Sequence, residues 1–203
     1  MKKLGILLSG RGSNFEAIAR NVQSGALQAE IAVVISNVPS APGLETARAL
    51  GLKAISLPSK GVLREEYDRQ VVELLRQYDV DLVCLAGFMR ILTPELIQAF
   101  PQRIINIHPS LLPAFPGLHA QRQAFEYGVK VAGCTVHFVD EGLDSGPVIL
   151  QATVPVEPQD DEEDLAAKIL REEHRIYSDA IRLILENRIE ISGRKTKIKN
   201  EKI

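Results

Sequence analysis

Short apolar, β-branched runs alternate along the chain with stretches of helical periodicity. Residues 4–9 (LGILLS) read as a buried strand and 13–24 as a helix. Residues 31–36 (IAVVIS) read as a second strand, and 42–51 as a short helix with Pro42 near its start and Gly51 past its end. A third strand at 54–57 precedes an amphipathic helix at 62–78, with Tyr67, Val71, Leu74 and Tyr78 on one stripe. Strands at 81–87 and 103–108 follow, separated by a short helix near 94–100. Strands apolar on both faces, alternating with helices, predict a parallel sheet covered on both sides. From about 119 the pattern changes. A helix at 119–127 is followed by two strands joined by a loop, 134–140 and 147–156, an antiparallel or mixed extension. A long helix at 161–186 begins with DDEED, acidic residues suited to the positive end of a helix dipole. No linker breaks the chain, so one domain over 1–190 is expected, with a basic tail at 191–203.

The first loop, SGRGSNFE at 9–16, joins a strand to a helix N-terminus through two glycines, an arrangement suited to an anion. Ser13 and Glu16 have the spacing of a capping box. No Gly-Lys-Ser/Thr follows, so it is not a P-loop. The dinucleotide pattern G-x-G-x-x-G fails at Phe15, and Asn37 stands where its acidic partner belongs. A single phosphate is a better ligand than NAD or ATP, and a plain tight turn would give the same pattern.

Ligands of parallel α/β sheets sit outside the carboxyl ends of the strands. Those ends carry GRGSN, SNVPS, AGFMR and NIHPS. Asn106 and His108 share one face of a strand, and Pro109 fixes the exit. A histidine acid or base needs a carboxylate to orient it, and the loop 140–149 supplies Asp140, Glu141 and Asp144. Asp144 serves if that loop folds back over His108. On the long helix, Glu173 interrupts the apolar stripe of Ile169 and Ile176, where an unpaired carboxylate is costly. It is either a salt bridge at the stripe edge or a ligand contact. His137 and His174 are open between structural and ligand roles. No His, Cys or Asp spacing suggests a metal site.

Composition narrows the classes. The chain has 203 residues, 45% of them hydrophobic, and a net charge of −2. That is a globular protein with no global field toward nucleic acid. No apolar run is long enough to span a membrane, and the N-terminal run lacks the form of a signal peptide. A cytoplasmic protein with Cys84 and Cys134 as buried free thiols is expected. The tail after Ser192 reads as solvated and partly disordered.

Taken together, SGRGSN, REEYDR (64–69), LAGFMRIL (85–92), NIHPSLLPAFPGLH (106–119), GCTVHFVDEGLDSGPVILQ (133–151) and EEHRIY (172–177) resemble the phosphoribosylglycinamide formyltransferases, folate-dependent enzymes of purine synthesis. The resemblance covers nearly the whole chain except the tail. It implies a Rossmann-like, mostly parallel α/β sheet with an antiparallel C-terminal extension. It implies a catalytic trio of Asn106, His108 and Asp144, and a substrate phosphate held by Gly12, Ser13 and Asn14, with Glu173 on the glycinamide ribonucleotide. The cosubstrate is 10-formyltetrahydrofolate, without a metal. Its pterin would be held by main chain around Met89, Arg90, Ile91 and Leu92 and by the loop of Asp140, Glu141, Gly142, Leu143 and Asp144, with Arg64 near its tail. The implied partners are these small molecules, with no nucleic acid and no membrane, in a monomer or homodimer. Within the class, formyltetrahydrofolate hydrolases and methionyl-tRNA formyltransferases are the rivals. The former carry an extra N-terminal domain and the latter an extra C-terminal one. Outside it, a silent folate- or nucleotide-binding module shares the fold.

Overall fold

The structure is a computed structural model that describes residues 1–199. The chain divides into two compact units, the first ending at Asn106 and the second beginning at Ile107. In the first unit the elements are β1 (Lys2–Leu8), α1 (Ser13–Gln23), β2 (Ala29–Ser36), α2 (Pro42–Ala49), β3 (Ala54–Ser56), α3 (Arg64–Gln77), β4 (Leu82–Leu85), α4 (Pro94–Ala99) and the start of β5 (Ile104–His108). All five strands are parallel, in the order β3-β2-β1-β4-β5. The order reverses direction between β1 and β4, which makes a switch point at their carboxyl ends. Every residue of β4 is buried. Successive strand residues point to opposite faces, so both faces of the sheet are covered there, as the unbroken apolar runs predict. Gly5 is bare because a Cβ on it would lie 2.5 Å from Leu75 Cδ2, so α3 packs directly on β1.

Two local expectations are corrected. Ser13 does not cap α1: the cap residue is Gly12, at φ 75°, and no side chain closes the turn. The left-handed turn, which glycine adopts freely, does the job, and Glu16 N–H bonds to Gly12 O at 2.9 Å. The buried stripe of α3 runs through Tyr67, Asp68, Val71, Val72 and Leu75 rather than through Leu74 and Tyr78. A carboxylate inside that stripe broke the apolar pattern, and its partner lies 25 residues away.

The second unit contains α5 (Ala120–Tyr127), β6 (Val131–Phe138), β7 (Val148–Pro155), α6 (Glu162–Leu185), β8 (Ile189–Ser192) and β9 (Lys195–Ile198). β6 and β7 pair antiparallel, with an irregularity at Val136/His137. α6 packs on both strands. Its start carries a full capping box between Asp161 and Asp164. The tail is ordered through residue 198: β8 and β9 form an antiparallel hairpin, and Thr196 Oγ1 donates to Val148 O at 2.6 Å. Short strands with alternating charge hid it from the sequence pattern. Residues 200–203 of the expected tail lie outside the described residues.

Candidate active site

In the first unit, two loops leave the switch point. The glycine loop after β1 is braced from three directions. Ser9 N–H donates to Gly87 O at 3.0 Å, and Ser9 Oγ–H donates to Asn37 Oδ1 at 2.6 Å. Gly43 N–H donates to Gly10 O at 3.1 Å, and a Cβ on Gly43 would meet Gly10 O and Arg11 O at 3.1 Å. Asn37, which took the place of a ribose-binding acid, is therefore a brace, and its Nδ2 donates onward to Ser59 Oγ at 3.3 Å. Gly12, Ser13 and Asn14 form the turn into α1, where first-turn N–H groups lack intrahelical acceptors and attract an anion.

The second loop follows β4. Met89 and Ile91 are exposed, 67% and 57%, while Leu92 is buried. Two large apolar side chains thus stand in solvent on one short segment. Arg90 lies over the Tyr67 ring, 4.4 Å from its centroid. Arg64 opens α3 and is exposed.

In the second unit His108 ends β5, two residues after Asn106 on the same strand. His108 is 5% exposed, and its two ring nitrogens have different neighbours. Nε2 lies 2.9 Å from Phe115 O, a pure acceptor, so Nε2 carries a hydrogen. Nδ1 lies 3.4 Å from Asp144 Oδ2. Two acceptors facing both nitrogens are what an imidazolium satisfies. The Nδ1 contact is longer than a tight charged hydrogen bond of about 2.8 Å, which leaves room for another group at Nδ1.

Asp144 sits at φ 48°, a left-handed conformation that Asp tolerates better than most residues. Its Oδ2 also accepts from Gly117 N at 2.8 Å, and its Oδ1 lies 3.8 Å from His137 Nε2. The loop is shaped by its glycines. A Cβ on Gly146 would fall 1.8 Å from Phe138 O. Asp140 faces into the loop, accepting from Gly142 N at 3.1 Å and Ser145 Oγ at 2.6 Å. Glu141, Gly142 and Leu143 face solvent.

His137 donates from Nδ1 to Phe138 O at 2.9 Å. Burial holds its basicity below the usual histidine range. It is thus a neutral neighbour of Asp144, a placement the sequence left open. Thr135, two residues earlier on β6, was missed by the sequence. Its Oγ1 donates to Ser110 O at 2.7 Å and accepts from Leu112 N at 3.0 Å, holding the turn after His108. Glu173 is 6% exposed between Ile169 and Ile176 on the buried face of α6. Its charge, after burial itself, helps push the Cys134 thiol up to about 12.

The first unit thus presents a glycine loop and an apolar strap at its switch point, and the second a histidine held between a carbonyl and an aspartate. The formyl transferase family profile matches residues 2–181. The chain belongs to that family. It is 41% identical to phosphoribosylglycinamide formyltransferase of Bacillus subtilis (strain 168), over 91% of this chain and 95% of that protein. The crystal structure of glycinamide ribonucleotide transformylase 1 from Symbiobacterium toebii shares 53% identity and superposes with a TM-score of 0.96, over 98% and 95% of the two chains. The chain is also 43% identical to a trifunctional purine biosynthetic protein of Drosophila melanogaster, but spans 14% of that protein's length. No helix among the described residues is long and apolar enough to cross a membrane.

Proposed function

We propose that the chain transfers the formyl group of 10-formyltetrahydrofolate to the primary amine of glycinamide ribonucleotide. The observation that carries this reading is the setting of His108, with Nε2–H anchored on Phe115 O and Nδ1–H beside Asp144. Such a group suits an oxygen that becomes negative during reaction. The amine nitrogen attacks the formyl carbon, and a tetrahedral intermediate forms with its charge on the former carbonyl oxygen. His108 Nδ1–H and the Asn106 amide donate to that oxygen. Asp144 favours the imidazolium by charge. The carbon–N10 bond then breaks, and the proton lost by the amine ends on N10 of the folate. In this reading His108 moves it. No covalent enzyme intermediate and no metal is required; holding two substrates together supplies much of the rate.

Gly12, Ser13 and Asn14 would take the ribonucleotide phosphate, and Glu173 its remaining polar groups. Met89 to Leu92 and the loop 140–144 would take the pterin, with Arg64 toward its tail. The same reading has residues 1–190 act as one formyltransferase domain, in the cytoplasm, as a monomer or homodimer, without nucleic acid or membrane partners. The test is a steady-state absorbance assay of deformylated folate with and without glycinamide ribonucleotide. Release that requires the ribonucleotide is expected. Equal release without it would replace transfer by hydrolysis.

A further inference from the structure

The segment Gly87–Thr93 has no regular secondary structure, yet contacts at its start, middle and end tie it down. At one end Met89 N–H donates to Ser9 Oγ at 2.8 Å. In the middle Arg90 stacks on Tyr67 of α3 at 4.4 Å. At the other end Asp68, also on α3, accepts from both Thr93 N at 2.7 Å and Thr93 Oγ1 at 2.9 Å. Two features of the last tie are costly for mere stability. Asp68 is 1% exposed, and burial raises its carboxyl above the usual range despite Thr93 and Arg90. Thr93 occupies the N-cap position of α4, but its hydroxyl serves Asp68 and makes no cap bond. The Thr93 hydroxyl thus serves a buried carboxylate at the end of an exposed strap and leaves α4 without a side-chain cap.

We propose that Asp68 is a positioning residue for formyl-folate binding, holding the strap Met89–Leu92 in its ligand-ready shape from beneath. Met89 and Ile91 then stand exposed on a backbone that has little ordering left to do when the pterin binds. Preorganisation of this kind appears in affinity, because ordering entropy is lost before the ligand arrives. Ser9 does the same at the other end. Because Ser9 also begins the glycine loop, it ties that loop to the strap. This inference rests on the folate reading above.

The test uses Asp68→Ala, Asp68→Asn, Thr93→Val and Ser9→Ala in the full chain, with steady-state kinetics varied in each substrate. Titration calorimetry with tetrahydrofolate gives a readout independent of turnover. Losing bonds to a buried carboxylate predicts a tenfold or greater rise, of order, in the folate KM and Kd for Asp68→Ala. Its kcat and ribonucleotide KM should stay within about twofold of wild type. Asp68→Asn, whose amide oxygen accepts both Thr93 hydrogens, should recover most of the affinity. Thr93→Val, which loses one of the two bonds, should fall between and covers the case in which Asp68→Ala fails to fold. Ser9→Ala should raise both KM values. An unchanged folate KM and Kd, or a fall in kcat alone in proportion to lost folded protein, overturns the positioning role. Wild-type protein that binds tetrahydrofolate more tightly than Asp68→Ala but shows no ribonucleotide-dependent turnover would instead overturn the proposed reaction.

Discussion

Asp144→Asn isolates charge from shape. Asn can keep an oxygen toward Gly117 N, so the bond at 2.8 Å that holds the loop survives. What disappears is the negative charge 3.4 Å from His108 Nδ1. Two unit charges 4 Å apart at an effective dielectric of 20 interact by about 4 kcal/mol, and the same scaling gives about 5 kcal/mol at this separation. That is a ceiling, because burying the pair, with side chains 6% and 11% exposed, removes hydration from both groups. If the charge maintains the imidazolium that donates to the oxyanion, its loss costs about what losing an oxyanion donor costs, roughly 10²–10³ in kcat. Steady-state kinetics across pH on Asp144→Asn, with thermal melting beside it, measures both quantities. The expected outcome is a kcat lower by that factor near neutral pH, with both KM values and the melting temperature little changed. A kcat within threefold of wild type at every pH would refute the charge argument.

Gly146→Ala places a Cβ 1.8 Å from a backbone carbonyl that cannot rotate away, so it should destabilise the fold by about 3 kcal/mol, read by denaturant unfolding. It should also displace the loop that carries Asp144, lowering kcat in the folded fraction. His137 contributes a pH dependence of known sign. Its buried neutral form binds protons less readily than the unfolded chain does. The stability it contributes is therefore present above the ordinary histidine range near about 6.5 and is lost as pH falls through its lowered native value. His137→Gln should flatten that part of the stability–pH curve, and an unchanged slope would contradict the assignment. Cys84 and Cys134 are fully buried, and burial raises both thiols. An aromatic disulfide reagent at pH 8 should label neither in native protein and both after denaturation.

Much of this was legible because strong local signals agreed. Unbroken apolar runs gave parallel strands such as β4, and the acidic run at 161–164 marked the start of α6. Asn106 and His108 stood out because a two-residue spacing on a strand end puts both side chains on one face. Asp144 could be named but not placed, since its approach to His108 depends on a left-handed turn and on Gly117, 27 residues earlier. Asp68 was invisible: a carboxylate on a helix normally reads as solvated, and only the fold reveals that its Oδ2 meets Thr93. The C-terminal hairpin was illegible in a tail that reads as solvated and partly disordered, because β8 and β9 have only four residues each and leave every side chain partly or fully exposed.

The central claim is that a formyl group moves from folate to an amine under the hands of His108. The most direct measurement is mass spectrometry of the ribonucleotide after incubation with 10-formyltetrahydrofolate carrying a ¹³C-formyl carbon. The account predicts labelled N-formyl ribonucleotide in amounts matching the folate consumed, and its loss in His108→Ala. Label recovered as free formate, with the ribonucleotide unchanged, would contradict it.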